Sequence, residues 1–181
     1  MTNQLIIETP RLLMRPMVTA DWSLFHRLET DSSVQKYVSD LKDNSSIKQR
    51  FESRLPLWSK TGSQWLCLII TEKSSSKPIG ITGFYPEWEP CRQAEVGFML
   101  LPDYQNKGFG KESLLALARY AFEECRFHKL KATVTEGNDA CCQLLKNIGF
   151  QQEARLRDNY RIAGQWQNDL VFGLLHHEFD R

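Results

Sequence analysis

The stretch Glu95–Phe127, EVGFMLLPDYQNKGFGKESLLALARYAFEECRF, carries the fold and the candidate chemistry together. It opens as an apolar strand, passes through a loop of turn formers and amides, and becomes a long amphipathic helix. The joint reads Gln105-Asn106-Lys107-Gly108-Phe109-Gly110-Lys111. The first N–H groups of a helix have no intrahelical partner and carry partial positive charge, so such a joint can hold an anion. Glycine lets the backbone come close to that anion. Within the helix, Leu114, Leu117, Ala118, Ala121, Phe122 and Cys125 recur at three- and four-residue spacing, one stripe for burial.

Upstream of this unit, QWLCLIIT (64–71) and Ile79 to Tyr85 read as strands joined by the polar turn EKSSSKP. With Gln93 to Leu101 they form an antiparallel meander. The near-continuous apolar run at 64–71 suits a central strand covered on both faces. Before the meander, LIIETPRLLMRP is extended, and Thr19 caps a helix whose apolar face holds Trp22, Phe25 and Leu28. A second helix follows from Ile47, with Phe51, Leu55 and Trp58 in phase and Pro56 as its interruption. Downstream, Lys129 to Thr135 is a strand, making strand–helix–strand a crossover between parallel neighbours. Asn138 caps a helix with the stripe Cys141, Leu144, Leu145 and Ile148, and Gly149 ends it. Two strands, Gln151 to Arg157 and Asp169 to His176, close the chain. The expectation is an α/β (α+β) protein in one domain over residues 1–181. Its single mixed, mostly antiparallel sheet has about seven strands and about four flanking helices.

At 181 residues the chain is long enough to bury a substantial core. A formal net charge of +1 and the lack of a basic stripe argue against DNA as a partner. No apolar run reaches the length of a membrane span, and the first residues carry no export signal, so a cytoplasmic protein is expected. The cysteines, Cys67, Cys91, Cys125, Cys141 and Cys142, form no CxxC pair. Their scatter supports neither a disulfide framework nor a metal site.

Three kinds of glycine loop place glycines at such a joint. The GxxxxGK[ST] pattern is absent, since Glu112 follows Lys111. The GxGxxG pattern is a near miss, with Ser113 in the last position; six residues, Pro102 to Lys107, separate strand from glycine where a dinucleotide turn is tight. The third pattern fits. Gln105-x-x-Gly108-x-Gly110, preceded by Leu-Leu-Pro and followed by a long helix, resembles the acyl-CoA pyrophosphate loop of the GNAT superfamily of N-acetyltransferases. Asn138-x-x-Cys141-x-x-Leu144-Leu145-x-x-Ile148-Gly149-Phe150 resembles that superfamily's second motif. ETPRLLMRP and Glu153-Ala154-x-Leu156-Arg157-Asp158 resemble segments of its RimJ/RimL branch, which acetylates protein N-termini, with Ala154 in place of a glycine.

The resemblance implies the GNAT fold, acetyl-CoA as co-substrate, no metal, and direct transfer to an amine. Gln105, Asn106, Lys107, Gly108, Phe109, Gly110 and Lys111 would hold the pyrophosphate. Met99, Leu100 and Leu101 would pair with the pantetheine arm, one N–H polarising the thioester carbonyl. Asn138 would reach the arm or the substrate, or serve only as a helix cap. An ammonium must lose a proton before it attacks. Glu95, which by strand alternation shares a face with Gly97, Met99 and Leu101, is the first candidate base, and Glu153 the second. The tyrosine that many members use as acid is replaced by Leu145. Cys141 is the one thiol placed to donate a proton, and it also falls on the buried stripe. The implied acceptor is a protein N-terminal amine, with a small-molecule amine and a non-catalytic CoA- or nucleotide-binding module as alternatives. Whether the chain forms a homodimer is left open.

Overall fold

A computed structural model describes residues 5–179; residues 1–4 and 180–181, at the two ends of the expected domain, lie outside it. Eight strands form one sheet in the order β1-β2-β3-β4-β5-β6-β8-β7. The strands are β1 (Ile7–Glu8), β2 (Leu12–Pro16), β3 (Leu66–Glu72), β4 (Lys77–Glu87), β5 (Gln93–Leu100), β6 (Lys129–Thr135), β7 (Gln151–Ile162) and β8 (Gln165–Leu175). The helices are α1 (Trp22–Thr30), α2 (Ser32–Gln35), α3 (Asn44–Glu52), α4 (Phe109–Glu123), α5 (Asp139–Lys146) and α6 (His176–Phe179). The single mixed sheet and the expected order stand, and the differences are local. The first extended segment turns back on itself at Pro10, giving a short hairpin of β1 and β2. The helix starting near Ile47 begins at its Asp43 cap, whose carboxylate accepts the Ser46 N–H at 2.8 Å, and ends at Glu52. Leu55 and Trp58 therefore fall outside it, as Pro56 requires. Thr19 lies in a short 3-10 turn instead of capping α1.

Side-chain alternation along β5 divides the interior. Ala94, Val96 and Leu100 join the core under α4 and α5, where Leu114, Leu117, Ala118, Ala121 and Phe122 are fully buried. Leu101 joins the second core, on the opposite face, with Leu24, Phe25, Leu28, Ile47 and Phe51 of α1 and α3. Each fully buried Leu or Phe in these layers contributes about 1.5–3 kcal/mol. Such burial holds the sheet rigidly where strand pairing lapses.

It lapses once. β4 and β5 pair antiparallel over the whole of β5, Gln93 to Leu100. β5 and β6 run parallel and stay in register only at Gln93↔Lys129, Ala94↔Leu130 and Glu95↔Lys131. Beyond that point the strands part, and β6 goes on pairing with β8 up to Thr135↔Asp169. Glu95 sits at the apex of a V-shaped gap in the middle of the sheet.

Candidate active site

The gap is walled by backbone with specific free groups. The Leu101 N–H donates to Ile79 O at 2.9 Å, and Thr82 Oγ1 donates to Gly97 O at 3.3 Å, so odd-numbered residues of this segment turn their peptide groups toward β4. In an antiparallel ladder the even-numbered residues then turn theirs the other way. The N–H groups of Phe98 and Leu100 therefore face the gap. This corrects the expectation for Met99 and Leu101, whose N–H groups are committed to β4. Leu100 alone of the expected trio offers its backbone to the gap. Met99 contributes its side chain to the cavity there.

At the wide end of the gap lies the start of α4. Gly108 is its N-cap, with φ +81°, a left-handed conformation in which a side chain is strained. No side chain caps this helix, so its first N–H groups remain open to an anion. Asn106 also has a positive φ, 58°, which an asparagine tolerates. Gly110 serves differently. A Cβ there would lie 2.9 Å from Leu144 Cδ1, so its small size lets α4 approach α5. Gln105 donates from Nε2 to Leu100 O at 3.0 Å, tying the loop to the strand edge. Lys107 and Lys111 are exposed and make no ion pair among the described residues. Phe109 is buried under Arg11, whose guanidinium lies 4.5 Å from the ring centroid.

Arg11 was not singled out in the sequence, yet it organises this loop. Its Nη1 donates to Lys107 O at 3.0 Å and its Nε to Glu112 at 2.6 Å. Thr9 Oγ1 also donates to Glu112, at 2.6 Å, and the Arg11 N–H does so at 2.9 Å. Burial opposes the charge on Glu112, but these bonds outweigh it and hold the carboxyl below its usual range. The β1–β2 turn is thereby clamped onto the first turn of α4.

A cavity of about 350 Å³ runs along the gap and opens to both faces of the sheet. Glu95, Gly97 and Met99 line it from one face, Val96 and Phe98 from the other. Glu95 makes no ion pair or hydrogen bond among the described residues. Its neighbour across the strand, Lys131, gives its ammonium to Glu87 instead. Asn138 lines the same cavity while its Oδ1 accepts the Cys141 N–H at 3.3 Å, so the cap and the lining position are one residue. Cys141 also lines it, and burial, with Cys142 beside it, pushes its thiol up to about 12. Such a thiol is a weaker acid than an ordinary one near 9.0 by about a thousandfold, which makes it a poor proton donor.

Glu153 is not among the cavity residues. It is exposed on β7 and receives the Lys129 ammonium at 2.6 Å. Its carboxylate passes over Gly173 of β8 and meets β6 at Lys129, where β5 and β6 are still in register, two residues short of the Glu95↔Lys131 pair at which the gap opens. The cavity also holds residues the sequence reading passed over: Arg50, Arg54, Trp65 and Thr135. Nothing local in the sequence marks them, because α3, β3, β6 and β8 meet here only through the sheet order. Among the described residues there is no cluster of side chains able to hold a metal ion, and no helix long and apolar enough to cross a membrane.

The splayed strands, the uncapped α4 start and the paired lysines fit a long anionic ligand with peptide-like amides, as acetyl-CoA is. Known proteins agree. The model of the acetyltransferase (GNAT) domain family matches residues 11–151. The chain is 25% identical over 174 residues to an uncharacterized N-acetyltransferase, YnaD, of Bacillus subtilis (strain 168), covering 96% of this chain and 99% of that one. A spermidine N-acetyltransferase from Vibrio cholerae, solved in complex with CoA and spermine, superposes with a TM-score of 0.83 at 18% identity, over 96% of this chain and 100% of that one. A ribosomal-protein-S5-alanine acetyltransferase from Vibrio fischeri gives 0.79 at 16% identity, over 97% and 98%. The chain belongs to the acetyltransferase (GNAT) domain family and is an acetyl-CoA-dependent N-acetyltransferase.

Proposed function

We propose that the protein acetylates a primary amine, with a protein N-terminal α-amine as acceptor, in a complex that holds both reactants at once. One observation carries this reading: an unpaired carboxylate, Glu95, stands at the apex of the gap between β5 and β6. Acetyl-CoA, when bound, supplies the acetyl group as an activated thioester. The open N–H groups at the start of α4, with Lys107 and Lys111, hold phosphate charge. The Phe98 and Leu100 N–H groups bind along the strand edge and orient the acyl carbonyl. Glu95 takes the proton from the acceptor ammonium and frees the nitrogen lone pair for attack. Asn138 anchors α5 at the opposite wall. Cys141 stays a neutral thiol and packs beside the sulfur, so the leaving thiolate departs without acid help from it.

An α-amine suits this arrangement, since its pKa near 7.7–8.0 makes deprotonation easier than for a lysine-like amine. The segment resembling the RimJ/RimL branch supports the same acceptor. The test is release of CoA thiol from acetyl-CoA in the presence of N-terminal peptides, polyamines and free amino acids. Acceptor-dependent release is the expected result. Acetyl-CoA binding without release for any amine would point instead to a binding module.

A further inference from the structure

We propose that the acceptor carries a carboxylate near its amine, and that Arg54, with Arg50, docks that carboxylate on the α3 side of the cavity. The inference rests on the acetyl-transfer reading and specifies its substrate. Its basis is an imbalance of charge. Glu29 is 1% exposed, and neither of its carboxylate oxygens has a hydrogen bond. Its compensation comes from Arg50 at 3.5 Å and Lys42 at 4.0 Å. Arg54 belongs to the same cluster: burial first, then repulsion from Arg50, lowers the Lys42 pKa, and Arg54 adds to that repulsion. One buried carboxylate therefore faces three cations.

Arg54 is the cation left over. It makes no ion pair among the described residues and is packed between aromatic rings, 5.4 Å from the Phe25 centroid and 5.6 Å from that of Trp65. Contact of this kind steadies a guanidinium; the Cys67 thiol engages one of its donors, and the remaining ones suit a carboxylate. Both Arg50 and Arg54 line the cavity. Trp65 links them to the reaction centre, since its ring lies 3.4 Å from where a Gly97 Cβ would be, two residues along β5 from Glu95.

The acids in the cavity stand apart from this cluster, since neither Asp169 nor Glu95 makes an ion pair with Arg50 or Arg54 among the described residues. Asp169 is buried, with Asn159 Nδ2 donating to it at 2.9 Å and Thr135 Oγ1 at 3.4 Å. Glu95 lies at the amine end. A carboxylate-bearing amine meets Glu95 with its ammonium and Arg54 with its acid, whereas a polyamine brings a second cation against Arg50 and Arg54. The carboxylate can belong to an acidic residue near a protein N-terminus or to a free amino acid.

Two acceptor pairs separate these sources: an N-terminal Ser-Asp peptide against its Ser-Asn counterpart, and free serine against serinamide. Spermidine serves as the polycation. Each kcat/KM is taken on total amine, since the ammonium is the form that Glu95 receives, and the acid-to-amide ratio is compared between wild type and Arg54→Gln. In at least one pair the acid is expected to exceed its amide by about tenfold or more, as a charge-assisted bidentate contact requires, and Arg54→Gln erases that ratio. The pair that shows it names the source. Equal rates within both pairs, or preference for spermidine, overturn the proposal while acetyl transfer stands. A preference that survives Arg54→Gln overturns the assignment to Arg54. No acetylation of any amine overturns both this proposal and the function it rests on. If Arg54→Gln loses its cooperative thermal transition, the wild-type ratios decide alone.

Discussion

Glu95→Gln isolates the proposed proton acceptor, because little else depends on it. The carboxylate makes no ion pair or hydrogen bond among the described residues, and Lys131, its cross-strand neighbour, is neutralised by Glu87. An isosteric amide thus orphans no cation and opens no cavity, and stability should move by no more than about 0.5 kcal/mol. Acetyl-CoA affinity should hold as well, since the open N–H groups of α4 lie at the other end of the gap. The loss falls on turnover and has two parts. Without a base the enzyme depends on amine already free in solution, roughly one part in eight at pH 7 for an α-amine of pKa near 7.8. Loss of proton transfer during attack adds to this, and general-base contributions are typically about 10² to 10⁴, or about 3–5 kcal/mol of barrier. The first part disappears as pH rises. In steady-state thiol-release assays from pH 6 to 9.5 the variant should therefore rise steeply to about pH 8 and then level off, narrowing its pH 7 deficit by roughly seven- to eightfold at pH 9.5. A turnover within threefold of wild type at pH 7 would refute the base assignment. A parallel loss of acetyl-CoA affinity by calorimetry would refute the separation of base from binding loop.

Gly108→Asp puts a carboxylate at the left-handed cap of α4, where phosphate charge is to bind, and should weaken acetyl-CoA by about a hundredfold or more. Gly108→Ala carries the backbone strain of about 1–2 kcal/mol and a Cβ contact of 3.2 Å with Arg11 Nη2 but no added charge, so equal affinity losses in the two variants would argue against an anion site. Cys141→Ser should retain kcat within about threefold, and with its thiol held near 12, Cys141 should resist iodoacetamide at pH 8 while exposed Cys91 is labelled. Rapid labelling of Cys141, followed by peptide mass mapping, would contradict its buried neutral state. Glu136 is held down to about 2 by hydrogen bonds from Arg155 and then Asn168. A depressed carboxylate stabilises the folded state above its unfolded value near 4.5, and that contribution is lost as pH falls toward 2. Thermal melts of Glu136→Gln should accordingly show a shallower decline with acid than wild type, and an unchanged slope would remove Glu136 from the account.

The resemblance to a known family made the co-substrate legible before any coordinates, but residue roles were legible only in part. Asn138 appears as a helix cap from its position alone and is one. Glu95 reads as a lone charge in an apolar strand, and alternation places it correctly with Gly97 and Met99. For Glu153, a motif match says nothing about which cation takes the carboxylate. β7 lies outside β8, and Lys129 takes its carboxylate. Met99 and Leu101 were misassigned for a related reason: which way a peptide group turns depends on the partner strand's hydrogen bonds, here those of Thr82 and Ile79.

By itself the sequence determined the elements. Apolar periods of two and of about 3.6, Asn138, Gly108 and Gly149 at helix ends, and Pro56 after α3 are local signals, because local sterics and hydrogen bonding produce them. Tertiary structure alone decided the gap and its contents. β5 and β6 separate after Glu95 while each stays held on its far edge, β5 by β4 and β6 by β8, an arrangement of distant segments that no window of sequence records. The same assembly brings Arg11 onto the α4 loop and Arg54 onto Trp65. These contacts are long in sequence and short in space, and they form only once burial of two cores has set the sheet between its helices.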